Sequence, residues 1–177
     1  MDRTGVVRIM NFFVRVFLCV IVALCAGCSN YRLAGTPIDL PFKSVYVQPV
    51  KNFSYAPQAS NLLTNAISDA ISQTPQVKVA NEGDSDAVLE VELTDYNKST
   101  YATRTDDTAL ALAIKIRATA KCTLSIGSKI IFKNRPVSSE VILYPRGNDF
   151  INAEYQNMPV LMRDLGVKVK DAVIGIW

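Results

Sequence analysis

LALAIKIRATAKCTLSIGS, residues 110–128, carries the clearest structural signal in the chain. Leu110, Leu112, Ile114, Ile116, Ala118, Ala120, Cys122, Leu124 and Ile126 fall on one side of a two-residue period, and Lys115, Arg117, Thr119, Lys121, Thr123 and Ser125 on the other. This is a long β-strand with one buried and one wet face. A slip of one residue would bury three cations, so its register is strongly specified. Gly127-Ser128 reads as a tight turn into an antiparallel partner, Lys129 to Tyr144, broken or bulged near Asn134-Arg135-Pro136. Upstream, beyond a polar loop from Asn97 to Asp107, a strand from about Asp86 to Tyr96 sets Ala87, Leu89, Val91 and Leu93 against Glu90, Glu92 and Thr94.

Further out, Val45 and Val47 mark a first strand, Ser44 to Val50, with Pro49 at its end or at a sheet edge. Pro57 sits where a first helical turn tolerates it. Ala59, Leu62, Leu63, Ala66, Ile67, Ala70 and Ile71 then recur at three and four, an amphipathic helix closed by Thr74-Pro75. Val77 and Val79 make a short strand before the polar turn Asn81 to Ser85. A turn at Pro145-Arg146-Gly147-Asn148 leads to a final helix from about Ile151 to Ile176. Met158, Leu161, Met162, Leu165, Val169, Ala172, Val173 and Ile176 share one side of it, and Pro159 either kinks it or marks its true start. This order predicts an α+β fold, a two-layer sandwich in which a mainly antiparallel sheet of four to five strands is covered on one face, the face of Leu89 and Leu112, by two amphipathic helices.

The N-terminus reads differently. Arg3, Arg8 and Arg15 precede an uncharged apolar run from Val16 to Ala26, the layout of an export signal over residues 1–27. As a helix the run would be roughly 18 Å long, short of the roughly 30 Å hydrocarbon core of a bilayer. Leu24-Cys25-Ala26-Gly27-Cys28 resembles the bacterial lipobox, which marks Cys28 as the acylated residue and new N-terminus. Ser29 and Asn30 follow it, and the absence of Asp there resembles lipoproteins sent to the outer membrane. Two other layouts stay open: an uncleaved anchor helix reaching back past Arg15, or an ordinary secretory signal with Cys28 as a free thiol. Residues 28–43, with Pro37 and Pro41, read as a lipidated tether, and 44–177 as a single domain. Losing residues 1–27 removes Arg3, Arg8, Arg15 and Asp2 from 19 Lys+Arg and 16 Asp+Glu, leaving 16 and 15. The near-neutral remainder gives no support to nucleic-acid binding. Of four cysteines only Cys122 then remains as a thiol, so no intrachain disulfide is expected.

The sequence contains no histidine, which removes the commonest general base near neutral pH and the usual nucleophile pairs and catalytic zinc sites. No glycine-rich phosphate loop and no nucleophile elbow is present. An enzyme is not expected, nor a metal or cofactor. Asp84 with Asp86, and Asp106 with Asp107, lack the further ligands of a calcium loop and read as solvated turn residues. Cys122 reads as a core side chain by its parity. Lys115, Arg117 and Lys121 form a cationic stripe that either pairs across strands with Glu90, Glu92 and their neighbours or meets an anionic ligand or a partner's wall.

Several segments together resemble a known family. After the signal and the lipid cysteine come Tyr31-Arg32-Leu33, the strand Ser44-Val45-Tyr46-Val47 running into Pro49-Val50-Lys51-Asn52, and the helix of Leu62-Leu63-Thr64-Asn65-Ala66-Ile67. Ala87-Val88-Leu89-Glu90 with Asp95-Tyr96, then Met158-Pro159-Val160-Leu161 leading to Trp177, continue the likeness. The chain resembles the lipopolysaccharide-assembly lipoprotein family, LptE. That resemblance implies a palmitate-bearing outer-membrane lipoprotein that plugs the LptD β-barrel, helps it assemble and assists lipopolysaccharide delivery to the cell surface. It also implies ligand contacts on basic residues of the loop and long strand, with Arg104, Arg117 and Lys121 as candidates. The competing reading is an activator or scaffold of another envelope machine, such as a cell-wall synthase or a curli-type secretion channel.

Overall fold

The computed structural model describes residues 40–103, 111–144 and 149–177. The signal, Cys28, most of the tether, Arg104, Asp106 and Asp107 lie outside the described residues. Within them the elements are β1 (Ser44–Val47), β2 (Lys51–Asn52), α1 (Ala59–Ser72), β3 (Lys78–Val79), a short 3-10 turn (Glu82–Asp84), β4 (Ala87–Thr103), β5 (Ala111–Ile126), β6 (Lys129–Leu143) and α2 (Phe150–Ile174). Among the described residues no helix is long and apolar enough to cross a membrane.

The class is α+β as expected, but the sheet is larger and partly parallel. It has six strands in the order β3-β1-β4-β5-β6, with β2 also on β4. β1 runs parallel to both β3 and β4, and β2 parallel to β4, while β4, β5 and β6 are antiparallel. The cause is the connection through α1, since a helix between two strands returns the chain to the same end of the sheet and makes parallel neighbours. The expected first strand is split. Between Val47↔Leu89 and Lys51↔Glu92 the chain gains one residue on its partner, across Gln48-Pro49-Val50. Val50, displaced from the ladder, donates its N–H to Thr64 Oγ1 of α1 at 3.0 Å.

β5 is the strand the alternation predicted, from Ile114 onward. Ile116, Ala118, Ala120, Cys122 and Leu124 are buried, and Arg117 and Lys121 are exposed. Leu112 is a correction: it is 51% exposed while Ala113 is buried. The β4–β5 ladder shifts register twice between Thr100↔Ile114 and Thr103↔Ala111, which reverses the parity at this end. A second correction concerns the polar loop expected from Asn97, because Asn97–Thr103 continues β4 and pairs with β5. Its side chains face no core, so no apolar period marks it. The irregularity expected near Asn134 is present: β6 carries two register shifts between Arg135 and Ile130, and Asn134 takes a left-handed φ of 53°. Pro136 is tolerated because β6 is an edge strand.

The two helices cover one sheet face and build the core with it, α1 through Leu63 and Ile67, α2 through Leu161, Met162, Leu165 and Val169. Pro159 does not mark the start of α2, which begins at Phe150 with the Asp149 carboxylate accepting from Asn152 N. Where the helices cross, Gly166 faces Ala66 so closely that a Cβ on Gly166 would stand 2.8 Å from the Ala66 carbonyl carbon. At the opposite side of α2, Asp164 accepts from Ser139 Oγ, and Lys168 bridges to Asp164 at 3.0 Å and to the Ser138 carbonyl at 3.3 Å.

Asp86 is not a merely solvated turn residue. Its carboxylate accepts from Lys43 N at 2.9 Å, Ser44 N at 3.0 Å and Ser44 Oγ at 2.8 Å, pinning the start of β1 to the start of β4. The Lys43 and Ser44 donors hold its pKa below the usual carboxylate value. A depressed folded-state pKa supports the fold at neutral pH and stops doing so as pH falls through that value. The protection of β1 amides, taken relative to their intrinsic exchange rates at each pH, is therefore expected to fall selectively on acidification, and Asp86→Asn should reproduce that loss of protection at neutral pH. Unchanged β1 exchange in Asp86→Asn would refute this role.

Cys122 is fully buried on the inner face of β5, as its parity predicted. Burial pushes its thiol up to about 12. The stabilisation from keeping this thiol neutral is intact below the ordinary thiol value and is lost as pH rises towards 12. Alkylation of the Cys122 peptide, followed by mass spectrometry, is expected to proceed only as fast as the domain opens. Labelling at the rate of a free thiol in native buffer would contradict its place in the core.

Candidate functional site

Among the described residues, no element covers the face of the sheet turned away from the helices, which is largely polar and mixed in charge. β5 places Lys115, Arg117 and Lys121 on it, as predicted, and the expected cross-strand pairing holds for the first two, through a wet-face neighbour on β6 and not through Glu90 or Glu92. Glu140 of β6, opposite Arg117 in register, takes both Arg117, at 2.8 Å, and Lys115, at 3.7 Å. The Arg117 hydrogen bond, followed by the Lys115 charge, holds the Glu140 carboxyl below its usual range. Glu90 instead pairs with Lys51 of β2, a short strand whose parallel docking was not foreseen. Lys115 also lies 5.2 Å from the centre of the Tyr101 ring. Lys121 has Glu92 and Pro136 as its cross-strand neighbours, and no ion pair holds it among the described residues.

The candidate ligand residues therefore separate. Arg104 is outside the described residues. Arg117 is exposed but engaged, so an incoming anion has to compete with Glu140. Lys121 is exposed and available. Exposed pairs such as Arg117–Glu140 contribute little to stability, which leaves them free to exchange partners.

A second feature was not legible in the sequence. A groove of about 310 Å3 opens at the end of the sandwich where α1 begins, between Tyr55 to Gln58, Tyr96 and Lys98 of β4, and the first turns of α2 with Ile151, Glu154, Tyr155 and Met158. Its rim carries Tyr55, 99% exposed, and Tyr155, 65% exposed. Tyr55 is held out by a tight loop: the Asn52 carboxamide oxygen accepts from Ser54 N at 2.9 Å and Ser54 Oγ at 2.7 Å, and Asn52 Nδ2 donates to the Ala56 carbonyl at 2.8 Å. Inside the groove Tyr96 Oη donates to Glu154 at 3.0 Å and Lys98 Nζ approaches the same carboxylate at 2.5 Å. Burial, reinforced by that carboxylate, raises the Tyr96 phenol above its ordinary pKa. No periodic pattern precedes Tyr55, and Glu154 meets Tyr96 from 58 residues away, so neither could be singled out beforehand.

Comparison with known proteins agrees with the fold and narrows the family. The family described as LptE, lipopolysaccharide-assembly, matches residues 42–165. No curated protein matches the chain. Among solved structures, the protein CT253 of Chlamydia trachomatis is similar with a TM-score of 0.55 at 10% identity, covering 75% of this chain and 96% of its own. Lipoprotein B of Nitrosomonas europaea has a TM-score of 0.52 at 15% identity, covering 82% and 88%. A minor lipoprotein of Acinetobacter baumannii has a TM-score of 0.52 at 12% identity, covering 77% and 96%. These identities speak to the fold alone.

Proposed function

The chain belongs to the LptE lipopolysaccharide-assembly family, and on that footing we propose that it is an outer-membrane lipoprotein, acylated at Cys28, that seats inside the LptD barrel as a plug and assembly partner. It acts by binding and performs no catalysis. The observation that carries this reading is the polar, mixed-charge outer face of the sheet, which no described element covers. Barrel interiors are polar, and a face whose acids and bases are spread over β4, β5 and β6 suits such a wall. The name lipoprotein borne by two proteins of like fold is in keeping with a lipid tether, and several acyl chains suffice to hold a domain at a membrane without any spanning helix.

A photo-crosslinker at Thr119, on the outer face between Arg117 and Lys121, tests the geometry. Detergent extracts of outer membrane are expected to give a crosslink to a barrel recovered near one-to-one with the chain. Recovery of a soluble periplasmic enzyme, or of a homo-oligomeric ring, would favour an activator or secretion scaffold instead. Lipopolysaccharide contacts are proposed for Arg104, Arg117 and Lys121. Charge reversal at all three is expected to lower lipopolysaccharide capture by about tenfold or more, as loss of charge-assisted contacts would. Lys121→Glu should account for more of the loss than Arg117→Glu, because Arg117 is already shared with Glu140. Undiminished capture by the triple variant would rule these residues out.

A further inference from the structure

We infer that the first turns of α2, Phe150–Met158, form a hinged flap beside the aromatic groove, jointed at Pro159 and latched to β4 by Glu154. The division is visible in burial. Every buried side chain of α2 lies at Leu161 or beyond, whereas Ile151 is 82% exposed and Tyr155 65%. The joint is visible in the backbone: Pro159 has no N–H, so the Tyr155 carbonyl lacks its helical donor at the boundary between the exposed and buried halves. Hinges sit where a local interruption adjoins a segment with little buried surface.

The latch is visible in the side chains. Among the described residues, every polar tie between the flap and the sheet runs through Glu154, which accepts from Tyr96 Oη and pairs with Lys98 Nζ. The remaining polar contacts of the segment, Asn152 with Asp149 and Asn157 with the Ala153 carbonyl, stay within it. Ala153 and Met158 are only partly buried against the core. Breaking one carboxylate contact therefore frees the segment and opens the groove towards the Tyr96 ring, while Leu161 to Ile174 stay in place as part of the core.

Hydrogen exchange on the detergent-solubilised full chain tests this, read at amides 154–158, which lie beyond the intrinsically unbonded first turn, against amides 165–173. The flap amides are expected to exchange at least about tenfold faster than the body amides in the wild type, as local opening requires. In Glu154→Gln they should accelerate a further ~10-fold with the body unchanged, because a charge-assisted contact is lost. In Pro159→Ala the flap should slow by about tenfold towards the body rate, since a helical hydrogen bond is restored. Equal rates in flap and body of the wild type would overturn the proposal. So would equal acceleration of both by Glu154→Gln, or an unchanged flap in Pro159→Ala.

Discussion

Gly166→Ala is expected to destabilise the domain, against the ordinary preference of helices for alanine. In an open helix the change would stabilise by about 1 kcal/mol. Here the new Cβ would meet the carbonyl carbon, Cβ and carbonyl oxygen of Ala66 at 2.8, 2.9 and 3.0 Å, and two of those three are backbone atoms that no rotamer change can move. The helices have to separate, and α1 is held to the sheet by Leu63, Ile67 and Ile71, all essentially fully buried. Overpacking of this kind costs about 1–3 kcal/mol for one added group and more for several. After the propensity gain is subtracted, a net loss of up to about 2 kcal/mol is expected for alanine and about 4 kcal/mol for Gly166→Leu. In a domain of this size the alanine variant should melt up to roughly 5 °C lower. Pairing Gly166→Ala with Ala66→Gly should recover part of the loss, since one of the three contacts is the Ala66 Cβ. An alanine variant as stable as the parent in urea unfolding would show that the helices do not cross here.

Cys28→Ala is expected to have the larger cellular effect and no effect on the fold. If Cys28 is the acylated residue, palmitate incorporation falls to background and the signal at residues 1–27 is no longer removed at that junction. One acyl chain alone gives only reversible membrane binding, whereas two or more hold stably, so losing all of them should lower the properly anchored fraction by about tenfold or more. The urea midpoint of the domain should not move, because among the described residues the buried core runs from Phe42 to Ile174, with Leu40 packed against it. The two variants thus separate anchoring from folding. Continued palmitate labelling of Cys28→Ala would place the lipid elsewhere, and a parent chain retaining its signal would favour the uncleaved anchor layout.

The sequence by itself determined the elements that bury an amphipathic face. The alternation of Ile114 to Leu124, the three-and-four recurrence in α1 and the stripe of α2 from Leu161 to Val173 all emerged as read, because apolar area must face the core whatever its neighbours are. The missing histidine and the cationic parity of Lys115, Arg117 and Lys121 were equally local properties. Only the tertiary structure decided what depends on which segments meet. The parallel docking of β1 and β2 followed from the return path through α1. The outward turn of Leu112 came from paired register shifts, and the strand character of Asn97–Thr103 from backbone pairing that leaves no hydrophobic trace. Glu140 became the partner of Arg117, and Glu154 that of Tyr96 and Lys98, through pairings of residues 23, 58 and 56 positions apart. A local pattern records which way a side chain points, whereas the identity of the group it meets is settled by packing between distant segments.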